Sequence, residues 1–313
     1  MTTDSITPAK RFTYYICAVI GSILLFYGGP DDLALRSVTQ AWNLGHVIFF
    51  AALSVICWYH GQRFLPRKFS ALVIMLLLLT LITGGLTELL QIFYQRTPDI
   101  GDIWRDCLGT LIATTFLLPV GRSMGTTNFR RFRALIIVLT LLTLIPLGKA
   151  LVDETIARHQ FPLLADFETP LELARWERGE KDHQLTRHGQ SSLKILLTTE
   201  QYSGDSLLYF PSDWSHYSTL HFSVHSGAET PLTIVCRLHD RYHCKSGNTY
   251  HDRFNRQLTC QPGWNDFAIP LKEIKNAPDD RKMDMTAIIN LRLFTVKLTR
   301  PVIIHLDYFY LEK

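Results

Sequence analysis

Hydrophobic residues are distributed very unevenly along the chain. Up to about residue 152 they form long apolar runs, whereas from about residue 160 onward apolar and polar residues alternate over short stretches. A helix needs roughly 20 mostly apolar residues to cross a bilayer, because the hydrocarbon core is about 30 Å thick and each residue rises about 1.5 Å. The first half therefore predicts an α-helical membrane bundle of about five spans, at residues 12–27, 46–60, 70–93, 102–120 and 134–152.

The second half is predicted to be an all-β jelly-roll sandwich. Leu220, Phe222 and Val224 alternate with polar residues, as is typical of a half-buried strand, and turn signals such as Pro262-Gly263 separate further β-branched and aromatic runs. About eight or nine strands in this part of the chain favour a sandwich over an open sheet. The polar stretch 153–163 is the expected linker, so the predicted domains are residues 1–152 and 164–313.

Basic residues predict the orientation of the spans. Because Lys and Arg near spans stay in the cytoplasm, the loops that carry them lie inside. We expect an inside N-terminus, and five crossings then place the C-terminal domain in the periplasm of a multi-pass bacterial inner-membrane protein. The first span is not interpreted as a cleaved signal peptide, since the turn Gly28-Gly29-Pro30 follows it and no cleavage site does. The nine basic positions are Lys10, Arg11, Arg63, Arg67, Lys68, Arg122, Arg130, Arg131 and Arg133.

Average composition hides this division, since 47% hydrophobic and 19% charged residues are ordinary for a soluble protein. The net charge of +4 is explained by the basic loops and gives no reason to expect nucleic acid as a partner. Cys236, Cys244 and Cys260 fall in the predicted outer domain, where one disulfide could form, although the sequence does not say between which pair. No zinc site is expected, because no cysteines have zinc-ligand spacing with a matching set of histidines.

Polar residues interrupt the predicted spans near their outer ends. An ionised side chain in lipid costs a few kcal/mol, so these residues should face one another or water. They predict a polar pocket that opens outward and holds a lipid-linked sugar, a phosphate or a cation. The alternative is a hydrogen-bond network that merely fixes the bundle. The residues are His46, Glu88, Gln91, Arg96, Asp102 and Asp106.

The spacing of these residues resembles the VanZ-like membrane proteins, a family named for a glycopeptide-resistance accessory protein. The similarity covers residues 12–120, and two positions depart from it, since Asp106 stands where the family usually has Asn and Gly45 where it commonly has Lys. The resemblance implies a role in the cell envelope without a defined chemistry. The positions that carry it are His46, Glu88, Gln91, Arg96, Asp102 and Gly109.

The second half resembles the jelly-roll carbohydrate-binding modules and their galactose-binding-like relatives. This resemblance implies a structural calcium at Glu168 and Asp307, the sole cofactor that we expect. A sugar site would combine aromatic faces with planar hydrogen-bonding groups, and the candidates for it are Tyr242, Tyr250 and Arg253. The landmarks are Asp166-Phe167-Glu168, Trp214-Ser215, Asp252-Arg253-Phe254, Pro262-Gly263-Trp264-Asn265 and Ile304-His305-Leu306-Asp307, with Trp214 and Trp264 read as core anchors.

Three functions are open at this point. The first is a binding or accessory protein whose partners are membrane lipid and an envelope glycan or lipid-linked sugar. The second is a membrane enzyme in which His46 or Glu88 acts as general base while Arg96 steadies an anionic oxygen, with Asp102 beside them. The third is a transporter or a structural scaffold, which is disfavoured because five spans are few unless the protein forms oligomers.

Overall fold

The computed structural model describes residues 8–27, 29–30, 34–93, 99–120 and 125–313. The chain divides into two compact units, Met1–Ala150 and Leu151–Lys313. The first unit is helical, and the second is built mainly of two antiparallel sheets. A helical N-terminal region followed by a β-sandwich is therefore confirmed.

Helices α1 to α4 and most of α5 form the first unit. Three stretches within the described residues are long and apolar enough to cross a membrane, namely Arg36–Gly61, Phe69–Leu90 and Thr126–Gln160, while Phe12–Leu24 is a shorter apolar helix. Helix α4 has 13 residues and continues into a π-helical turn at Ala113–Leu117, so the expected five spans are not established. The helices are α1 (Pro8–Tyr27), α2 (Arg36–Gly61), α3 (Phe69–Phe93), α4 (Ile100–Ile112) and α5 (Thr126–Gln160).

Small residues bring the helices of the first unit together. A Cβ on Gly109 would lie 2.3 Å from the carbonyl oxygen of Val47, so only glycine allows α4 to approach the backbone of α2 this closely. Phe69, at the start of α3, packs edge-on against Phe129 and Phe132 of α5, each at 5.6 Å between ring centroids. The interior of the unit is therefore held by close backbone approach and by aromatic contacts.

Helix α5 does not end where the sequence indicated a linker at residues 153–163. It continues to Gln160, and Asp153 is buried within its last turns at 1% exposure. Arg175 holds this carboxylate with Nη2 at 2.9 Å from Oδ1 and Nε at 3.0 Å, and Arg175 is itself 1% exposed. The polar residues at the predicted boundary thus belong to the second unit, whose first residue is Leu151.

Two sheets form the second unit. The larger sheet has the strand order β2-β3-β10-β5-β8, with β1 added against β10, and the smaller sheet has the order β4-β9-β6-β7. The strands are β1 (Leu163–Ala165), β2 (Glu180–Asp182), β3 (Ser192–Leu197), β4 (Tyr202–Leu207), β5 (Thr219–Ser226), β6 (Leu232–Asp240), β7 (Phe254–Cys260), β8 (Gly263–Pro270), β9 (Ile288–Val296) and β10 (Val302–Glu312). The unit also contains two short α-helices, α6 (Arg241–Lys245) and α7 (Leu271–Lys275), and two 3-10 turns, Glu172–Arg175 and Tyr250–Asp252.

One hydrophobic core fills the space between the sheets. Alternate residues of each strand point into it, among them Phe222 and Phe309, whose rings stack at 5.2 Å. Trp214 is fully buried and donates its indole N–H to the Pro211 carbonyl, as a core anchor should. Trp264 is only half-buried against His225 on the outer face of the larger sheet, so it is not a core anchor. None of the six cysteines forms a disulfide.

Candidate functional site

The first candidate site surrounds His46 in the middle of α2. Its Nδ1 lies 2.9 Å from Oδ1 of Asp106, and its Nε2 lies 3.4 Å from Oδ2 of Asp102. Asp102 and Asp106 are one turn apart on α4 and so share a face of that helix. The imidazole therefore hydrogen-bonds to Asp106 and lies close to the carboxylate of Asp102, so the three buried side chains form one polar cluster.

Glu88 lies beside this group near the end of α3. It is 5% exposed, and its Oε2 accepts a hydrogen bond of 2.9 Å from the backbone N–H of Asp99. Asp99 in turn caps α4, accepting from the N–H of Gly101 at 2.8 Å. One turn before Glu88, Gly84 packs against Asp106, whose Oδ2 would lie 2.6 Å from a Cβ at that position. Helices α3 and α4 thus meet through acidic residues.

Arg105 adds a positive charge to this group of acids. Its Nη1 binds the carboxylate of Asp102 and lies 3.4 Å from Oδ2 of Asp99. The spacing Asp102-x-x-Arg105 places both side chains on one helix face, so this ion pair could have been predicted from the sequence. Arg96 and the side chain of Gln91 lie outside the described residues. The structure therefore brings together four of the six predicted residues, namely His46, Glu88, Asp102 and Asp106.

Deeper in the bundle, the polar layer continues as hydroxyl groups. Thr110 hydrogen-bonds to Ser54 at 3.0 Å and to Thr80 at 2.6 Å, which links α4 to α2 and α3. On the other side, His46 lines a cavity of about 160 Å³ whose wall is otherwise mostly apolar. His46 is thus the one ionisable residue among those that line this cavity. The remaining lining residues are Gly21, Leu24, Ala41, Trp42 and Gly45.

The second candidate site lies in the β unit, where the structure separates the three predicted glycan-binding residues into two groups. The guanidinium of Arg253 lies over the ring of Tyr250 at 5.3 Å. Tyr242 instead lies under Arg281, at 4.7 Å. Arg281 is fully engaged by two carboxylates, since it binds Asp240 at 2.6 Å and Asp252 through its Nε. This guanidinium lowers the pKa of Asp252 to about 2. Tyr242 therefore adjoins a structural ion-pair network.

Tyr250 and Arg253 instead border the outward face of the smaller sheet, which we call the cleft face. Strand register fixes its composition, because alternate residues point away from the core. Arg237 of β6 lies directly opposite Arg292 of β9 on one side and Asn255 of β7 on the other. No acidic residue projects from the four strands on this face, all of which are described. Its members are Tyr202, Gly204, Ser206, Thr233, Val235, Arg237, His239, Asn255, Gln257, Thr259, Asn290, Arg292, Phe294 and Val296.

The arginines of the cleft face raise the local positive potential. Burial, together with Arg253 and Arg292, lowers the pKa of Arg237 to about 10. Burial also lowers the pKa of Arg253, although Tyr250 and Tyr202 act in the opposite direction. His239 has its pKa lowered to about 4, mainly by burial, and is therefore neutral at pH 7. The positive charge of this face comes from its arginines alone.

Aromatic rings border these charges. Tyr202 is 55% exposed and packs against Phe294 at 5.9 Å, and the guanidinium of Arg292 lies 5.7 Å from the Phe294 ring. Tyr202, Arg237 and Arg292 were not among the residues predicted from the sequence. The sequence does indicate which residues of each strand share a face, at positions 290, 292 and 294 of β9 and 235, 237 and 239 of β6. It does not show that these two strands pair with each other. The cleft face therefore combines aromatic rings with several planar hydrogen-bonding groups.

The two carboxylates expected to hold calcium each accept hydrogen bonds from the backbone. Glu168 Oε1 accepts hydrogen bonds from the backbone N–H groups of Gln190 and Ser191, at 2.7 and 3.0 Å. Asp307 Oδ2 accepts from Arg187 and His188, at 2.7 and 3.0 Å, and burial raises the pKa of this carboxyl. These N–H groups occupy one oxygen of each carboxylate, while Oδ1 of Asp307 is buried without a hydrogen-bond partner in the described part of the chain, so calcium at this pair stays a prediction. Within the described residues, no group of three or more His, Cys, Asp or Glu could hold a metal ion.

Comparison with known proteins gives a likeness in fold alone. No family model matches the chain, so the resemblance to VanZ-like proteins has no support from this comparison, and no curated protein matches either. Among solved structures, a family 11 carbohydrate-binding module from Clostridium thermocellum in complex with a β-1,3-1,4-mixed-linked tetrasaccharide is 15% identical, with a TM-score of 0.36; the match covers 48% of this chain and 94% of that one.

Two further matches are similar in extent. An exo-β-agarase is 15% identical with a TM-score of 0.39, and the match covers 48% of this chain but only 24% of the agarase. A family 30 carbohydrate-binding module of a cellulosomal cellulase from Clostridium thermocellum is 15% identical with a TM-score of 0.34, covering 44% of this chain and 87% of the module. Because these TM-scores lie below 0.5, the likeness carries no argument about what the chain binds.

Proposed function

We propose that this chain is a membrane-anchored binding protein of the cell envelope whose β unit binds a glycan on the cleft face. The observation that carries the proposal is the combination on one sheet face of exposed aromatic rings with planar hydrogen-bonding groups. Tyr202 and Tyr250 are 55% and 62% exposed, and both lie within electrostatic reach of Arg253. Asn255 and Arg237 lie next to each other between them.

This arrangement suits a sugar for two physical reasons. A pyranose ring presents C–H bonds on its faces, which pack on aromatic rings, and hydroxyl groups at its edge, which hydrogen-bond to planar amide and guanidinium groups. Asn255 retains a buried Oδ1 without a hydrogen-bond partner in the described part of the chain. An unpaired buried acceptor is costly, and a ligand hydroxyl would satisfy it.

The membrane anchor is proposed from the surface of the first unit. Large apolar side chains are exposed along α3 and α5, including Ile74, Leu78 and Ile82 on α3 and Leu141 and Leu142 on α5. Soluble monomers rarely expose contiguous apolar patches larger than a few hundred Å². Contact with lipid removes the free-energy cost of exposing these apolar side chains to water. The polar side chains Asp102 and Asp106 of the same unit face inward toward His46, as expected of a protein in a bilayer.

The proposed topology places the N-terminus in the cytoplasm and the β unit outside. Alkaline phosphatase is active only outside the cytoplasm, and green fluorescent protein folds efficiently only inside it when exported through the general pathway. We expect fusions after Lys313 to show phosphatase activity and no fluorescence, and fusions after Arg131 to show the reverse. Fluorescence from the fusion after Lys313 would contradict the topology.

Glycan binding is tested with the full chain purified in detergent and applied to an array of envelope glycans. A matched pair of variants locates the site, since Tyr250 and Tyr242 are similarly exposed and each lies under an arginine. We expect Tyr250→Ala to weaken binding about five- to tenfold through the lost ring contact, and Tyr242→Ala to leave it unchanged. Failure of the wild-type protein to bind any glycan would refute the proposal, as would a larger loss in Tyr242→Ala.

A second candidate function is acid–base chemistry on a lipid-linked substrate, favoured by the exposure of the buried His46 to a cavity. Asp106 orients the imidazole from behind, as a carboxylate orients a general base in hydrolases. Lipid extracts from cells that produce the wild-type chain or His46→Gln should then differ by mass spectrometry. His60→Gln, an exposed histidine on the same helix, is the control. Identical extracts from the wild type and His46→Gln would exclude this chemistry.

A further inference from the structure

We propose that the glycan bound on the cleft face is acidic, a polysaccharide whose sugar units carry oxyanions that Arg237, Arg253 and Arg292 hold. The proposal deepens the glycan-binding function stated above and rests on it. It assigns the chemical class of the ligand, which the aromatic rings alone leave open.

The three arginines occupy neighbouring positions. Arg237 and Arg292 are direct partners across β6 and β9, and neighbouring strands lie about 5 Å apart. Arg253 precedes β7 by one residue and shares the outward direction of Asn255, the partner of Arg237 on the other side. Arg253 and Arg292 also both act electrostatically on Arg237. Three fixed positive charges therefore converge on the middle of this face.

None of the three guanidinium groups forms an ion pair with a carboxylate among the residues that the structure describes. The Nε atoms of Arg237, Arg253 and Arg292 are buried and have no hydrogen-bond partner among the described residues. The contact of Arg237 with Asn290, at 3.4 Å between Nη2 and Oδ1, is long and involves a neutral group. Elsewhere in the same unit arginines do find carboxylates.

Arginines that stabilise the fold of this unit form ion pairs with carboxylates. Arg281 binds Asp240 and Asp252, Arg256 binds Glu273 at 2.9 Å, and the buried Arg175 binds Asp153. On the cleft face, by contrast, the acid that acts on Arg237 is Glu177, an exposed residue outside the four strands. The cluster is therefore arranged to receive negative charge from outside the chain.

A neutral sugar does not account for this arrangement. Covering like charges with an uncharged ligand removes water from them and supplies no compensating charge. A carboxylate, sulfate or phosphate group matches the guanidinium fork and forms two parallel charge-assisted hydrogen bonds with it. Anionic groups repeated along a chain of sugars would meet several arginines at once.

A polymer also fits the extent of the face better than a single anion. Four strands side by side span roughly 15 Å, much more than one inorganic ion. Tyr202 lies on the edge strand β4, and Tyr250 lies close to the start of the opposite edge strand β7. The arginines of the inner strands lie between these rings, so sugar rings pack on the tyrosines while their anionic groups reach the centre.

The test compares a matched pair of ligands on the full chain in detergent. The probes are an oligogalacturonate and the same oligosaccharide after reduction of its carboxyl groups, which keeps the backbone and removes the charge. We expect the acidic form to bind at least about tenfold more tightly, and its affinity to fall as salt is raised. Dextran sulfate and poly(glycerol phosphate) are measured in parallel, and preferential binding of either one identifies the source of the oxyanion and supports the proposal.

Variants locate the interaction. Arg237→Met and Arg292→Met each remove one guanidinium and should weaken binding of the acidic probe at least about tenfold. Arg300→Met is the control, because Arg300 is exposed and makes only a 3.7 Å ion pair with Glu229. Thermal unfolding of each variant shows whether a loss of binding comes from misfolding. Equal losses in Arg300→Met and Arg237→Met would overturn the proposal.

The outcomes separate this proposal from the function on which it rests. If a neutral glycan binds as tightly as the acidic one, or more tightly, the proposal that the ligand is acidic is refuted, whereas the proposal of glycan binding is not. No binding to any neutral or acidic glycan would remove both. Inorganic phosphate that displaces the oligogalacturonate at an equal concentration of anionic groups would show a simple anion site and would overturn the polysaccharide.

Discussion

Removal of the Arg237 charge should stabilise the ligand-free protein. The Arg237 guanidinium is partly desolvated beside Arg253 and Arg292, which lowers its pKa from its ordinary value to about 10. The difference corresponds to at most about 3 kcal/mol of destabilisation at neutral pH. Because the side chain is partly exposed, solvent screening reduces this to about 1 kcal/mol. We choose Arg237→Met, since methionine keeps an unbranched stem on the sheet and removes only the charged end.

The pH dependence has a definite sign. Below pH 10 the side chain is charged in both the folded and the unfolded chain, so its cost is fully present. Above about pH 10 the folded chain releases this proton before the unfolded chain does, and the cost disappears. The advantage of Arg237→Met should therefore be constant from about pH 6 to 9 and should shrink above about pH 10.

The assay is thermal unfolding in detergent, followed by tryptophan fluorescence, to which the buried Trp214 and Trp176 of the β unit contribute. About 1 kcal/mol corresponds to about 3 °C for a unit of this size. Arg300→Met removes a side chain that is 61% exposed and should change the midpoint by less than about 1 °C. A fall of several degrees in Arg237→Met would show that Arg237 is a structural residue and would refute the reasoning.

Two further predictions concern packing, and both are measured by thermal unfolding. Arg175→Met should cost about 3–5 kcal/mol, because it deprives the buried Asp153 carboxylate of its guanidinium, and adding Asp153→Asn should recover part of the loss; an unchanged midpoint would contradict this. Gly109→Ala should cost about 1–3 kcal/mol through its clash with the Val47 carbonyl. Gly85→Ala, whose Cβ would meet nothing within 4 Å, should raise the free energy of unfolding by about 0.5 kcal/mol. A Gly109→Ala variant that is more stable than Gly85→Ala would refute the close approach of α2 and α4.

Hydrophobic patterning was sufficient to predict the helical first half and the sheets of the second half, because periodicity reports directly which side of an element is buried. It failed at the end of α5, where the polar Asp153 resembled the start of a linker. The partner that makes burial of Asp153 tolerable is Arg175, 22 residues further along. A compensating charge on another element leaves no local signal in the sequence.

The candidate sites show the same limit. His46, Asp102 and Asp106 could be grouped from the sequence, because acids and an imidazole within apolar helices have few other places to go. Arg237 and Arg292 could not, since their juxtaposition depends on the register of two strands separated by a long stretch of chain. Register is set by the packing of the whole sandwich and not by either strand alone.

The position of the ligand is the point on which the functional proposals depend. A photoreactive oligogalacturonate, irradiated with the full chain and followed by mass spectrometry of the peptides, reports it directly. We predict adducts on the cleft face, at Tyr202, Val235 or Phe294, and their loss in Arg292→Met. Adducts confined to the outer face of the larger sheet, at His221 or Tyr310, would contradict glycan binding at the cleft face.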